Sequence, residues 1–406
     1  MAQFVPPPRK RTEELYDLAA KTFSHNGYFS FLEYCRKCYW PGSSYDWEAS
    51  RVAIEDDKIV AHVGVWTYSA RVGAARLKTG GIGAVLTHAD YRKRGLCAGA
   101  FKACIPAMRN AGYDLTTLFG ISNFYHQFGY CQGWPDNRCV VELSAVPEGK
   151  LTLRTKKVPL QEVQCGRGEI MRIYQRENAP FVGTNDRSVP MYTRVAGGRA
   201  KNNCTALLRG EKIVGYVVWR ADTEHLSVIE VGGLGKDCGV DQIVQAIRRL
   251  AVKNKRTRIV LLHMPYTHPL IELMRLGNCR IEMTHTRSGA AMAREVSLRS
   301  CLDKMLPELS TRLRETTLAG YRGELVIATA EETVGLAVNR GKVALAEKPS
   351  GRSRIAAGTQ AARLILGSEE PTTLQLQGMA FTGDALKLAG TLFPKRWPTL
   401  YGLDMF

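Results

Sequence analysis

The run Gly81-Ile82-Gly83-Ala84-Val85-Leu86-Thr87, followed by Tyr91-Arg92-Lys93-Arg94-Gly95-Leu96-Cys97-Ala98, decides the reading of the first third of the chain. The first stretch is an apolar strand. The second is a basic loop, and from about Leu96 to Ala111 the apolar spacing becomes helical. A helix start offers unpaired backbone N–H groups and the positive end of a dipole, so it suits a phosphate. Gly95 lets the backbone turn and approach a ligand closely. Arg92, Lys93 and Arg94 add cationic charge at the same corner. The corner is neither the GxxxxGK[ST] phosphate loop nor the GxGxxG dinucleotide turn, since both are absent. On spacing alone, a basic loop before a helix is more often a solvated turn.

Around this corner the first 150 residues read as mixed α/β. Thr12 to Phe23 has helical spacing, with Glu13 and Glu14 suiting its first turn. Strands are expected over Ser50–Glu55 and Lys58–Tyr68, joined by a turn at Asp56-Asp57, and over Leu115–Phe119. From about 151 a similar order returns. Strands are expected at Cys204–Arg209, Lys212–Arg220 and His225–Val231. A helix is expected at Asp241–Val252 and a strand at Arg258–Leu262. This predicts two similarly folded α/β units. From about 290 a helix over Leu298–Arg314 leads into short strands with a turn at Asn339-Arg340-Gly341-Lys342, then helices over Thr359–Leu366 and Thr382–Phe393. The chain closes on the apolar Tyr401-Gly402-Leu403-Asp404-Met405-Phe406, where polar, frayed residues are usual.

Composition narrows the class. The chain has 406 residues, 45% hydrophobic and 23% charged, which excludes wholesale disorder. No apolar run approaches the ~18 residues of a membrane span. No secretory signal is expected, because no apolar stretch follows the charges of the first residues. The eleven cysteines, an odd number, then argue for reduced thiols and a cytoplasmic location. Cys35-Arg36-Lys37-Cys38 is a lone CxxC with no second ligand pair, so no metal is expected. The net charge is +18, most of it in residues 151–290. A surplus of this kind suits an anionic partner. It carries no aromatic–basic interleaving, so nucleic acid is not the expected one.

Arg92-x-x-Gly95 after a strand resembles the pyrophosphate loop of the GNAT superfamily of acetyl-CoA-dependent N-acetyltransferases. Gly120-Ile121-Ser122-Asn123-Phe124-Tyr125-His126-Gln127-Phe128-Gly129-Tyr130 resembles the later GNAT segment that holds an acid tyrosine. The wider layout resembles the mycobacterial enhanced-intracellular-survival (Eis) type: two GNAT-like units, then a sterol-carrier-protein-like domain. Leu392-Phe393-Pro394 and the terminal Asp404-Met405-Phe406 share in that likeness. It is specific in the first unit and at the terminus, and weak between about 150 and 290. Two departures stand out. Cys97 occupies a position where Gly or Ala is usual, and the middle unit offers only the glycine-rich Val231–Gly239 where a basic loop would be, which reads as a degenerate turn.

The resemblance implies an α/β fold: a catalytic GNAT unit at 1–150, a degenerate one at 151–290, and an α+β sterol-carrier-like domain at 291–406 whose end reaches the active site. It implies acetyl-CoA as co-substrate, held by Arg92, Lys93, Arg94, Gly95, Leu96, Cys97 and Ala98. Backbone groups of Val85, Leu86 and Thr87 lie along the thioester, and Gly120, Ile121 and Asn123 lie nearby. It implies Tyr125 as general acid and the α-carboxylate of Phe406 as general base. His62, His88 and His126 are weaker candidates for the base. The acceptor is a primary amine of a small polyamine-like molecule, aminoglycosides among them, or of lysine. Asp17, Glu33, Asp46, Glu48 and Asp404 are candidates for an acidic pocket, with Tyr28, Phe29, Tyr39, Trp40 and Trp47 as aromatic lining, although a charge of +18 argues against a strongly anionic funnel. Family members of this type form hexamers, so a homo-oligomer is expected. A lipid or apolar-ligand carrier with a vestigial transferase is the alternative.

Overall fold

The computed structural model describes residues 2–23, 27–41, 43–164, 168–187, 202–286 and 289–406. Cys165 and part of the basic middle segment lie outside the described residues. Strands β1 (Gln3–Val5), β2 (Arg51–Glu55), β3 (Lys58–Val72), β4 (Ala75–Thr87), β5 (Leu115–Gly120) and β6 (Cys131–Gln132) belong to the first unit. So do helices α1 (Thr12–Thr22), α2 (Tyr28–Tyr34) and α3 (Leu96–Asn110). The β2–β3 turn is the expected one: Asp56 and Asp57 have φ of 50° and 53°, the mirror-image turn that matches strand twist. The long β3–β4 hairpin arises because both strands have near-continuous buried runs, covered by helices on either face.

The second sheet holds β7 (Asp136–Glu142), β8 (Arg154–Val158), β9 (Asn203–Arg209), β10 (Lys212–Ala221), β11 (Leu226–Gly232), β12 (Arg258–Leu262) and β13 (Cys279–Thr284). Strand β14 (Ala290–Glu295) returns to the first sheet. The orders are β1-β2-β3-β4-β5-β14-β6 and β13-β7-β12-β11-β10-β9-β8. Both sheets therefore cross the expected boundaries at 150 and 290. β7 joins the second sheet before residue 150, and β14 pairs with β5 and β6 in the first. The middle unit is in effect an insertion between the paired strands β6 and β14. The physical reason is edge satisfaction: β14 covers the hydrogen-bonding edge of β5, and β7 fills the gap between β12 and β13. The last block forms a five-stranded sheet, Arg322–Thr329, Thr333–Asn339, Lys342–Leu345, Ser353–Gly358 and Ala380–Thr382, behind a helix at Leu298–Arg314. Its buried side chains are continuous with those of α1, α2 and the β3–β4 hairpin in one core.

The chain end does not fray. Tyr401, Leu403 and Asp404 are buried in or against the middle unit, and Leu400 in the core shared by the first unit and the last block. Arg187 donates from Nε to Asp404 Oδ1 (2.9 Å) and from Nη2 to Oδ2 (2.8 Å). Arg187 also donates from Nη1 to Glu230 Oε1 at 3.0 Å, and Tyr216 donates its hydroxyl to the same oxygen at 2.7 Å. Asn185 donates to Asp404 at 3.2 Å, and the guanidinium lies 3.7 Å from the centroid of Tyr174. Burial holds the Glu230 carboxyl above the usual range, against the pull of Arg187. Asp404, expected to line an acidic pocket, is instead committed to this ion cluster. A buried cation facing two carboxylates leaves both uncompensated when it is removed. Arg187→Met is expected to cost roughly 3–5 kcal/mol of unfolding free energy; a urea-denaturation loss below about 1 kcal/mol would show that the cluster does not hold the terminus.

Two histidines are buried neutral. Burial pushes His62 and His268 each down to about 4. Their folded values lie below the unfolded ~6.5, so the native state refuses the proton that the unfolded chain accepts. The stability they allow is complete above ~6.5 and is lost as pH falls toward about 4. Glu295, raised by burial to about 7, has the opposite sign: its contribution is complete below the ordinary carboxyl value and is lost as pH rises through about 7. With two imidazoles against one carboxyl, the urea midpoint is expected to fall between pH 6.5 and 4.5. His268 caps a helix by accepting from the Leu270 N–H, a role asparagine also fills, so His268→Asn is expected to lessen that fall. An unchanged pH slope in that variant would refute the assignment.

Candidate active site

Strands β4 and β5 run parallel and pair only from Thr79↔Leu115 to Ile82↔Leu118. Beyond Ile82 they part, because β4 continues along β3 while β5 turns to β14. On β4 the register with β3 slips between His62 and Gly64, and Ala84 adopts φ +44°, so β4 bulges where it leaves β5. His62 locks the bulge. Its Nδ1 lies 2.8 Å from the Ala84 carbonyl oxygen, and its Nε2 lies 2.8 Å from the Tyr45 hydroxyl. In the neutral ring Nδ1–H donates to the carbonyl and Nε2 accepts from the tyrosine, so no lone pair is left for a base. His88 and His126 do not line the cleft either.

The parting opens a cleft of about 640 Å³. One end is built from Val85, Leu86, Thr87 and the whole run Tyr91–Ala98. Gly95, left-handed with φ +74°, precedes α3 without any side-chain cap, so the first N–H groups of the helix face the opening. Arg92 and Lys93 are exposed there. Arg94 is shared with Glu55, at 2.8 Å. Tyr125 and Ile121 stand on the wall, and Phe406 closes it. Gly120 and Asn123 do not line the cleft. Gly120 acts from behind, since a Cβ there would stand 2.2 Å from the Tyr125 ring. Gly81 seats the terminal residue in the same way, with a Cβ position 2.2 Å from the Phe406 ring. The Phe406 ring also stacks on Tyr68 (centroids 5.8 Å) and meets Phe119 (5.7 Å).

The titrations fit a dry cleft. Burial pushes the Tyr125 hydroxyl up to about 12 and the Cys97 thiol up to about 11. Cys97 thus packs as a neutral small group where Gly or Ala was expected.

The acids singled out as an acceptor pocket are spent elsewhere. Asp17 pairs with Lys21 at 2.7 Å and Glu33 with Lys37 at 2.5 Å. Asp46 accepts from the backbone of Glu48 and Ala49 and from the Tyr113 hydroxyl. None of these, nor Glu48, lines the cleft. Of the expected aromatics only Tyr39 does. Phe29 is exposed, while Trp40 is buried in the core. Phe23, Phe31 and Phe119 line the cleft without having been singled out; their spacing reads as ordinary helix and strand core.

The corresponding place in the middle unit is a hollow beside Gly235–Cys238, lined by Arg172, Arg176, Lys212 and Lys236 together with Glu169 and Asp237. Its loop N–H groups are already taken: Gly233 and Leu234 donate to the carboxylate of Glu177 at 2.8 and 3.1 Å. An internal carboxylate stands where an anionic ligand would. Among the described residues no group of His, Cys, Asp and Glu is placed to hold a metal ion, and no helix is long and apolar enough to cross a membrane.

Residues 8–133 match the family model of the acetyltransferase (GNAT) domain. No curated protein matches the chain. Among solved structures, the chain is similar to a GCN5-related N-acetyltransferase from Anabaena variabilis ATCC 29413, at 15% identity over 100% of both chains with a TM-score of 0.76. It is also similar to a probable N-acyltransferase from Enterococcus faecalis V583, at 17% identity over 99% of both with a TM-score of 0.77. Eis1 from Mycobacterium abscessus aligns at 14% identity over 98% of both, with a TM-score of 0.69. At these identities the structural likeness is one of fold. The first unit is a GNAT acetyltransferase domain, and the chain is an acyltransferase enzyme with acetyl-CoA as its acyl donor.

Proposed function

We propose that the chain acetylates a primary amine by direct attack on acetyl-CoA, with Tyr125 as general acid and the α-carboxylate of Phe406 as general base. The observation that carries this reading is convergence: Tyr125, Phe406 and the Arg92–Ala98 corner, far apart in sequence, share one cleft. The pyrophosphate sits on the open start of α3 beside Arg92 and Lys93. The thioester lies along Val85–Thr87, where backbone N–H groups stabilise the oxyanion as the carbonyl is attacked. The amine passes its proton to the terminal carboxylate and its nitrogen bonds the carbonyl carbon. The C–S bond then breaks, and the leaving thiolate takes the proton of Tyr125. Burial keeps the Tyr125 hydroxyl protonated at neutral pH, so it holds a proton for the leaving thiolate.

The acceptor expected from the resemblance is an amine of a small polyamine-like molecule, such as an aminoglycoside, or of lysine. The expected cytoplasmic, homo-oligomeric state belongs to the same reading. Nothing favours the carrier alternative, since the apolar side chains of the last block are packed into a core shared with the first unit.

In a free-CoA release assay, Tyr125→Phe is expected to lower turnover about 10²-fold, with acetyl-CoA affinity unchanged; full turnover would remove the acid role. One glycine added after Phe406 displaces the carboxylate by about 3.8 Å and is expected to slow turnover as much. Gly81→Val, which pushes the Phe406 ring from its seat, is expected to reproduce that loss. An extended chain with undiminished activity would show that another group is the base.

A further inference from the structure

The cleft has two unlike ends. At the phosphate end its walls carry three cationic side chains, Arg92, Lys93 and Arg94. The other end, over the floor from Ile82 to Gly83, is closed by Phe23, Phe31, Tyr39, Phe119 and Phe406. Phe31 is 5% exposed and packs on Phe23 at 5.7 Å. Tyr39 lies over Gly83, its hydroxyl 3.1 Å from where a Cβ would stand. No carboxylate side chain lines either end. The sequence outside the described residues adds none, because those residues contain no Asp or Glu. Of the acids nearest in sequence, Glu33 is paired with Lys37 and Asp404 with Arg187, and Asp90 lies beside His88 outside the cleft lining.

From this we infer that the acceptor is a monoamine with an aromatic or aliphatic body, taken into the Phe23–Phe31–Tyr39–Phe406 end with its one nitrogen toward the terminal carboxylate. The inference rests on the transferase reading and names its substrate class. The chain terminus supplies one negative charge, which matches one ammonium before it gives up its proton. A second or third ammonium would be desolvated against rings with no anion to meet it. A ring face can hold one cation, but not a chain of them. An apolar body gains from burial against the same rings. The polyamine-like acceptor expected from the resemblance lacks its counter-charges here.

The test compares kcat/KM in the free-CoA release assay. 2-Phenylethylamine, tryptamine and hexylamine are set against spermidine, kanamycin and a lysine peptide, and acetyl-CoA binding is followed separately by calorimetry. The expected result is at least a tenfold preference for the monoamines. Phe31→Ala should raise their KM with little change in kcat. Phe23→Asp, at a half-buried position, should narrow the preference over spermidine. Turnover with spermidine or kanamycin equal to or above the monoamines would overturn the inference and leave the transferase reading standing. Acetyl-CoA binding without turnover of any amine would overturn both.

Discussion

Everything at the site depends on β4 and β5 parting after four paired residues. A parallel pair that stayed zipped to Thr87 would spend on its ladder the backbone groups that a carbonyl needs, and would leave no gap between Gly81 and α3. The parting is enforced from both sides. β5 is drawn off by β14, which occupies its outer edge, and β4 is bent by a bulge that a neutral, doubly hydrogen-bonded His62 holds in place. The two strands then present different chemistry to the same space. One gives backbone N–H groups and leads into a cationic loop, while the other leads through Gly120 to a tyrosine.

The rest of the molecule reads as a means of bringing the last residue to that gap. The middle unit has the same strand order around its own glycine-rich loop, but that loop closes on Glu177. Its contribution is mechanical: Arg187 and Glu230, buried together, hold Asp404 two residues short of the terminus. Among the described residues, three guanidinium groups (Arg71, Arg76, Arg187) face three carboxylates (Asp186, Glu230, Asp404) in this region. Balance of that kind fixes geometry more than it adds stability.

The local elements were legible in the sequence because their signals are local. The helix at Leu298–Arg314 matches its apolar period to the residue, and the Asp56-Asp57 and Arg340-Gly341 turns fall where the sequence places them, with Gly341 taking a positive φ at no steric cost. The strand exchange was not legible. Asp136–Glu142 carries three charges and an asparagine among its apolar residues, and its place is set by neighbours more than a hundred residues away. At the site, local chemistry raised the Arg92–Gly95 corner only as one candidate for a phosphate, and the resemblance supplied Tyr125 and Phe406. The acidic pocket was misread because nearness in sequence does not show that Asp17 and Glu33 pair with lysines, that Asp46 accepts from backbone N–H groups, or that Asp404 is buried on Arg187. Phe23, Phe31 and Phe119 escaped notice because a phenylalanine lining a cleft has the same periodicity as one filling a core.

The insertion of the middle unit between β6 and β14 also sets an order of events during synthesis. The ribosome delivers β6 roughly 150 residues before the strand that must lie beside it, an interval of roughly 10–30 s at ordinary elongation rates. Until then the outer edge of β5 is an unpaired ladder on a half-built sheet, the kind of surface that chaperones bind. The intervening unit has all its strands in one continuous stretch and closes its own sheet first. It thereby brings the two ends of its excursion together and templates the completion of the unit that was translated before it.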